Sequence, residues 1–156
     1  MPAKKESGIT RKVIGVLTVL LVIFILIMMR LVSGIQGTAR VVNYAGLVRG
    51  GTQRWIKMEI TGNPRDKMME AVESYIDGLQ NGSEDLGLVR LKDAKYQAKV
   101  EEQKEYFQKL KEEVQHVRES GYYNTNIIED SETFFQICDD ATGLAEAYSQ
   151  RKASQL

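Results

Sequence analysis

The chain has 156 residues, with 21 Lys and Arg, 21 Asp and Glu, and a formal net charge of zero at pH 7. This length corresponds to one domain plus a short appendage, and the balanced charge excludes nucleic acid as a bulk electrostatic partner. The single cysteine, Cys138, cannot form an internal disulfide, and with the single histidine, His116, it is too little for a zinc site. We expect Cys138 to be a small buried residue and His116 to be solvated or half-buried. No metal and no cofactor are expected.

An uncharged apolar run of 17 residues extends from Val13 to Met29. As a helix it spans roughly 25 Å, which is close to the thickness of the bilayer core. Arg30 follows and can snorkel, so the segment can extend to about Ile35. The residues before the run carry four bases and one acid, which places the short N-terminal side in the cytoplasm. These charged residues are Lys4, Lys5, Glu6, Arg11 and Lys12.

Three alternatives to a membrane anchor stay open. A cleaved signal peptide is compatible with the small residues Gly37-Thr38-Ala39, although the apolar run is longer than a usual signal core. A pilin-type N-terminus fits poorly, because no acidic residue follows the glycine in GITRKV. A buried core helix would need 17 uninterrupted apolar residues beside a basic flank. We therefore predict a cytoplasmic tail at 1–12, a transmembrane helix at 13–33 and an extracytoplasmic domain at 34–156.

Two segments in the second half of the chain repeat apolar residues in alternating steps of four and three. This two-per-seven spacing is typical of a coiled coil or a narrow helical bundle. We expect Asp93 to cap the first segment and Ser120-Gly121 to end it, and Thr125 or Asn126 to begin the second. The predicted core positions are Tyr96, Val100, Gln103, Phe107, Leu110, Val114 and Val117, then Ile127, Ser131, Phe134, Cys138, Ala141, Ala145 and Tyr148.

Two earlier segments complete the predicted helices. No breaker lies between Ile35 and Ile60, so the membrane helix and the first extracytoplasmic helix are predicted to form one rod of about 48 residues, ended by the residues 61–64. A shorter helix follows, with Pro64 in its first turn and an end at residues 81–83. Its predicted apolar face is Met68, Val72, Tyr75 or Ile76, and Leu79.

This pattern predicts an all-α fold in which an N-terminal transmembrane helix continues into an antiparallel up-down four-helix bundle. Four bases and one acid lie between residues 34 and 60, whereas six acids and no base lie between 124 and 150. Such charges suit a first and fourth helix that pack as neighbours. They suit solvated faces of small individual energy equally well.

The first extracytoplasmic helix places an arginine among glycines, in the stretch NYAGLVRGGTQR. With a seven-residue period, Arg49 shares a stripe with Ile35, Val42 and Ile56. An arginine on a buried seam requires an acid, a carbonyl or an anionic ligand. Either Arg49 pairs with an acid of the fourth helix, or a homodimer brings two copies of it to one small anion.

The glycines of this stretch favour close helix packing. Gly46 and Gly50 are four residues apart and therefore share a helical face. Two mid-helix glycines cost roughly 1 kcal/mol each relative to alanine, which favours a specific role for them. Arg54, five residues after Arg49, points about 140° away around the helix, so one chain cannot easily direct both arginines to one ion.

The spacing N-x-A-G-x-x-R-x-x-x-x-R is met at Asn43, Ala45, Gly46, Arg49 and Arg54. It resembles a motif in the extracytoplasmic sensor domains of nitrate/nitrite sensor histidine kinases, and it is similar to the N-terminal domain of type IV pilus methyl-accepting chemotaxis transducers. The longer string VVNYAGLVRGGTQRWIKMEITGNPRD resembles the sensor region of some bacterial diguanylate cyclases and sensor kinases. In that region NGS, LVRL and SE-x-x-F recur in the order found here at residues 81–83, 88–91 and 131–135.

The resemblance implies an antiparallel four-helix bundle between two membrane spans that works as a dimer. It also implies that the first arginine of the motif, here Arg49, comes from both subunits and holds an anion at the dimer interface. The sequence departs from the nitrate sensors at Gly50-Gly51-Thr52, and it ends before a second span or an output domain.

The sequence therefore predicts a membrane-anchored extracytoplasmic sensor module of a bacterial signal-transduction receptor. The predicted ligand-binding residues are Arg49, Asn43, Gly46, Gly50 and Arg54. The expected partners are a second copy of the chain, the lipid bilayer, a small anion or metabolite, and an output domain outside this chain. The alternative is a structural, dimerising or partner-binding bundle without a ligand. No nucleophile–base pair, phosphate loop or metal cluster is visible, so no enzymatic activity is predicted.

Overall fold

The computed structural model describes residues 3–155, with side chains from residue 8 onward. Its four α-helices are α1 (Ala3–Ile60), α2 (Asp66–Asn81), α3 (Ala94–Ser120) and α4 (Ile127–Ser154), and a 3-10 turn, Tyr122–Asn124, precedes α4. The described residues contain no strand, so the all-α prediction is confirmed. The chain divides into two compact units, an N-terminal unit Met1–Gln36 and a core unit Gly37–Leu156. The first two residues and the last residue lie outside the described part, as do the side chains of Lys4, Lys5 and Glu6 on which the predicted orientation partly rests.

The N-terminal unit consists of the first part of α1. Among the described residues, one helix is long and apolar enough to cross a membrane, and none of its most apolar window is buried inside the protein. Phe24, for example, is 60% exposed, which differs from the core helix of a soluble domain. The hydroxyls of Thr18 and Ser33 donate to the carbonyls of Ile14 and Met29, both at 2.9 Å. Their hydrogen-bonding capacity is therefore met within the helix, as a hydrocarbon environment demands.

The rest of α1 contributes a buried stripe to the core unit. Its members follow one another in steps of three and four: Thr38, Val41, Ala45, Val48, Thr52, Trp55 and Glu59. Of the predicted stripe, Ile56 is buried, but the register is wrong at Val42 and Arg49, because Val41 and Val48 are buried in their place. The indole ring of Trp55 determines this register, since it is fully buried and lies 5.5 Å from the ring of Phe107 on α3.

The predicted seams of α3 and α4 are confirmed. All seven predicted α3 positions are buried, and so are six of the seven in α4, where Tyr148 is half-buried. Phe107 and Phe134 connect the two seams with a ring separation of 5.8 Å. In α2 the buried apolar residues are Val72, Ile76 and Leu79. The two-per-seven pattern thus predicts which side chains form the core in α3 and α4, whereas Met68 of the predicted α2 face is only half-buried.

The helix ends follow local chemistry. Asp93 caps α3 by accepting a hydrogen bond from the Tyr96 amide at 3.0 Å, and α3 ends before Gly121, which has a φ of 78°. Asn126 is the N-cap residue of α4, although its side chain makes no capping bond. Pro64 does not lie in the first turn of α2, because the helix begins at Asp66 with Arg65 as N-cap.

Candidate functional site

Arg49 is directed toward α4 rather than into a buried seam. Its guanidinium donates a hydrogen bond to Asp139 and lies 5.5 Å from the ring centroid of Phe135. The two charged side chains are 35% and 55% exposed, respectively. The structure therefore has an acid within reach of Arg49, which is the arrangement that the structural alternative requires. Because both groups remain solvated, the ion pair is worth no more than about 1 kcal/mol.

The other four predicted site residues lie on one face of α1. Successive helical residues advance by about 100°, so Asn43, Gly46, Gly50 and Arg54 fall together on the side opposite the buried stripe. Leu47 belongs to the same face and is 43% exposed. We call these five residues the α1 open face. The structure brings four of the five predicted residues together on it and places Arg49 at its flank.

The glycines of α1 have different surroundings. A Cβ atom added to Gly46 or Gly50 would meet nothing within 4 Å, whereas one added to Gly51 would lie 3.0 Å from Val72 on α2. Gly51 therefore serves the packing of α2 against α1 within the chain. Gly46 and Gly50 serve no packing among the described residues of this chain, so their lack of a side chain has no explanation within a single copy.

A groove of about 690 Å³ lies between α1 and the first turns of α4. Gln53, one turn beyond Arg49, is at its wall and donates to the Ser131 carbonyl at 3.2 Å. The charged residues that line it are Lys57, Glu129 and Glu132. With two carboxylates against one ammonium, the groove itself is not suited to an anion.

A buried acid, Glu59, was not recognised from the sequence. Its carboxylate accepts hydrogen bonds from the Trp55 indole at 2.9 Å, from the Arg65 amide at 3.1 Å, and from Arg118 at 2.7 and 2.9 Å. Burial alone would raise the pKa of Glu59, but these hydrogen bonds outweigh it and hold the pKa below its ordinary value. Arg118 also pairs with Asp66 at 2.6 Å, so the cluster connects the end of α1, the start of α2 and the end of α3. The only signal in the sequence was a single acid on an otherwise basic helix.

Cys138 is fully buried, as predicted, and His116 is solvated, with a side chain that is 63% exposed. Burial raises the pKa of the Cys138 thiol to about 12, although Gln103 donates to the sulfur at 3.1 Å. A thiol with so high a pKa carries almost no thiolate at neutral pH and is therefore unreactive. Among the described residues, no three side chains of His, Cys, Asp or Glu are grouped to hold a metal ion.

Comparison with protein-family models, with curated proteins and with solved structures gave no match. The resemblance to the sensor domains is therefore limited to the motif residues between Asn43 and Arg54 and to the short strings that follow them.

Proposed function

We propose that the chain is a membrane-anchored sensor module of a bacterial signal-transduction receptor. In this proposal the N-terminal part of α1 crosses the cytoplasmic membrane with residues 1–12 inside the cell, and the core unit lies outside. Two copies associate through the α1 open face, and a small ligand, an anion or a metabolite, binds beside Arg49. Kinase or cyclase activity belongs to an output domain outside this chain.

The core unit is proposed to be an antiparallel up-down bundle. The order of the side-chain contacts supports this arrangement, because residue numbers rise on one helix as they fall on its neighbour. Between α1 and α4 the pairs are Thr38–Ser149, Arg49–Asp139 and Gln53–Ser131. Between α2 and α3 they are Glu73–Lys111, Asp77–Lys104 and Gln80–Glu101. Between α3 and α4 they are Lys99–Asp140, Gln103–Cys138 and Lys109–Asp130.

The open space over Gly46 and Gly50 is the observation that carries the proposed dimer. Glycine in the middle of a helix costs about 1 kcal/mol relative to alanine. A second α1 packed on this face would offset that cost, because the missing side chains let two backbones approach closely. Leu47 supplies apolar surface at the centre of the contact, and Arg54 lies at its polar edge. A two-fold axis through this face would bring both Arg49 side chains to its flanks.

Ligand binding is proposed as an exchange of partners at Arg49. Its present partner, Asp139, is more than half exposed, so little free energy is lost when the ion pair opens. A planar oxyanion can then accept two hydrogen bonds from the guanidinium fork. Such an exchange would remove one contact between α1 and α4 and would favour a small shift of the two helices relative to each other, and α1 leads toward the membrane segment.

Cysteine cross-linking of the full chain in lipid nanodiscs tests the dimer. Leu47→Cys places a thiol on the proposed axis, whereas Gln115→Cys places one on an exposed position of α3. The native Cys138 is buried and does not compete. We expect mild oxidation to give a covalent dimer for Leu47→Cys and none for Gln115→Cys. Equal cross-linking of both variants, or of neither, would contradict the proposed interface.

A ligand-free structural bundle is the second candidate. The Arg49–Asp139 pair is the observation that favours it, because this pair meets the charge of Arg49 without any ligand. In that case the chain acts as a stalk or as a subunit that binds a partner. The two candidates differ in one measurable property, which is whether a small molecule stabilises the protein through Arg49.

A further inference from the structure

Six basic residues are gathered at one end of the core unit. They lie in three short stretches, 37–40, 86–95 and 148–155, in which the one acid is Asp93, and two exposed acids, Glu84 and Asp85, directly precede the second stretch. The six bases are Arg40, Arg90, Lys92, Lys95, Arg151 and Lys152. We call this group the basic rim. Because the whole chain has no net charge, such an excess at one end is a local feature that the overall composition does not explain.

Contacts between the three stretches place them together. The hydroxyls of Thr38 and Ser149 are 3.1 Å apart, and Arg151 donates to Asp93 at 2.8 Å. The Arg40 guanidinium lies so close to Gly87 that a Cβ atom there would overlap it. A cavity of about 270 Å³ opens at the same end, lined by Lys92, Asp93, Tyr148, Arg151, Lys152 and Gln155.

Most of these charges are not neutralised within the chain. Arg151 is paired with Asp93, and the ammonium of Lys152 lies 5.9 Å from the ring centroid of Tyr148. The other four bases have no carboxylate partner among the described residues. Elsewhere in the core unit Lys104 and Lys109 are paired with Asp77 and Asp130, whereas Lys57, Arg65 and Lys67 are unpaired in the described part of the chain but are not grouped with the rim. The basic rim therefore presents unpaired positive charge to whatever lies beside it.

Chain connectivity limits how far this end can lie from residue 33. Thr38 follows residue 33, the predicted end of the span, by five residues, which reach at most roughly 18 Å even when fully extended. Ser149 is in contact with Thr38, so the last turns of α4 share this position. Val89, an apolar side chain that is 46% exposed, stands beside Gly37 at the same end.

We propose that the basic rim binds the phosphate groups of anionic phospholipids in the bilayer that anchors the chain. This inference rests on the membrane anchoring proposed above, but it requires neither the dimer nor a ligand at Arg49. Lysine and arginine near a membrane surface are attracted to anionic headgroups, and in salt this attraction falls off within a distance of about one Debye length. Exposed Val89 adds an apolar contact at the same surface. The bound rim would fix the membrane-proximal ends of α1 and α4 to the lipid.

Spin-label accessibility of the full chain in nanodiscs tests the proposal. Ala94→Cys places a nitroxide between Lys92 and Lys95, and Asn124→Cys places one on the exposed 3-10 turn as a control. Each labelled protein is studied in phosphatidylcholine alone and in phosphatidylcholine mixed with phosphatidylglycerol. We expect the anionic lipid to raise collisions of the 94 label with oxygen and lower those with a water-soluble nickel complex, with no change at 124.

Two further experiments test whether the charges of the basic rim cause the lipid effect. The triple variant Arg90→Gln, Lys92→Gln, Lys152→Gln should lose the lipid effect, as should the parent protein in about 1 M salt, where the Debye length is about 3 Å. The matched variant Lys57→Gln, Arg65→Gln, Lys67→Gln removes three exposed, unpaired bases from another part of the core unit and should keep the effect. Thermal unfolding monitored by Trp55 fluorescence in phosphatidylcholine verifies that both variants fold.

The outcomes separate this inference from the proposed function. If the chain does not co-elute with the discs, the membrane anchoring is wrong and the lipid site is wrong with it. If the chain co-elutes but the 94 label is equally accessible in both bilayers, the lipid site alone is wrong. An equal change on adding inorganic phosphate to the phosphatidylcholine discs would also overturn it, because the rim would then be a site for soluble phosphate.

Discussion

Arg118 on α3 donates two hydrogen bonds to the buried carboxylate of Glu59 on α1, from Nη2 to Oε1 at 2.7 Å and from Nε to Oε2 at 2.9 Å. This fork geometry is the strongest form of ion pair in proteins. The Glu59 side chain has no exposed surface, so it depends on its partners for the solvation it has lost. The pair therefore holds the ends of three helices together at one position.

Removing Arg118 should be the most damaging single change at a charged residue. Arg118→Met leaves the Glu59 carboxylate buried with only the Trp55 and Arg65 donors, and we expect a loss of about 3 kcal/mol in the free energy of unfolding. Urea unfolding of the full chain in nanodiscs, followed by Trp55 fluorescence, measures it. Lys67→Met, at an exposed and unpaired base, is the control and should change stability by less than about 0.5 kcal/mol. Similar losses in both variants would mean that the fork is not stabilising.

Acid should weaken the core unit partly through Glu59. The pKa of Glu59 is lower in the folded state than its ordinary value of 4.5, so its stabilisation is fully present above that value. It is lost as the pH falls through 4.5 and past the lower folded-state pKa, where the carboxylate becomes protonated. We expect Glu59→Gln to be less stable than the parent at neutral pH and to lose less stability in acid. Glu70→Gln, at an exposed acid of α2 without an ion pair, should follow the parent, and a parallel pH dependence for Glu59→Gln would contradict this account.

The Arg49–Asp139 pair should contribute little to stability. Both side chains are substantially solvated, so a double-mutant cycle with Arg49→Gln and Asp139→Asn should give a coupling energy of no more than about 1 kcal/mol. The measurement is thermal or urea unfolding of the two single variants and the double variant without ligand. A coupling above about 2 kcal/mol would mean that the pair is a structural clamp. It would then favour the ligand-free bundle.

Substitutions at Gly50 distinguish an isolated chain from a dimer. In an isolated chain, Gly50→Ala should stabilise the helix by up to about 1 kcal/mol, because the added methyl group meets nothing within 4 Å. In a dimer packed on the α1 open face, the bulkier Gly50→Leu should instead separate the two copies while leaving each folded. Mass photometry of nanodiscs gives the number of copies, and Trp55 fluorescence reports folding. Gln115→Leu on α3 is the matched control, and dissociation by both leucine variants, or by neither, would contradict the interface.

The sequence predicted the seam of α3 position by position because Lys, Glu and Gln separate most of its apolar residues. In α4 the alternating steps of four and three identified the seam although Ile127–Ile128 and Phe134–Phe135 are adjacent apolar pairs. The stripe on α1 was not predictable in the same way, since Val41 and Val42 are adjacent aliphatics, as are Leu47 and Val48. The packing of Trp55 on Phe107, a contact between residues far apart in the chain, selects the register. For the same reason the Glu59–Arg118 pair was not foreseen, because nothing local links the two residues.

The sequence placed the residues of the candidate site only in part. The motif supplied Asn43, Gly46 and Arg54, and the four-residue spacing placed Gly46 and Gly50 on one helical face, but the common face of all four residues emerged only from the structure. Arg49 was expected on a buried seam and instead lies beside Asp139 at the flank of that face. A sequence alone offered several acids on the fourth helix and could not select which one would meet Arg49.

The proposed sensor role requires that a small ligand binds through Arg49. Thermal unfolding of the full chain in nanodiscs, with Trp55 as the reporter, tests it against nitrate, nitrite and a panel of small carboxylates. At a ligand concentration of 100 times its dissociation constant, binding stabilises the folded state by about 2.7 kcal/mol, which raises the melting temperature by several degrees. We expect such a rise for the parent and for Lys57→Ala, which removes an exposed base on the same helix, and none for Arg49→Ala. Absence of any rise in the parent, or an equal rise in Arg49→Ala, would contradict it.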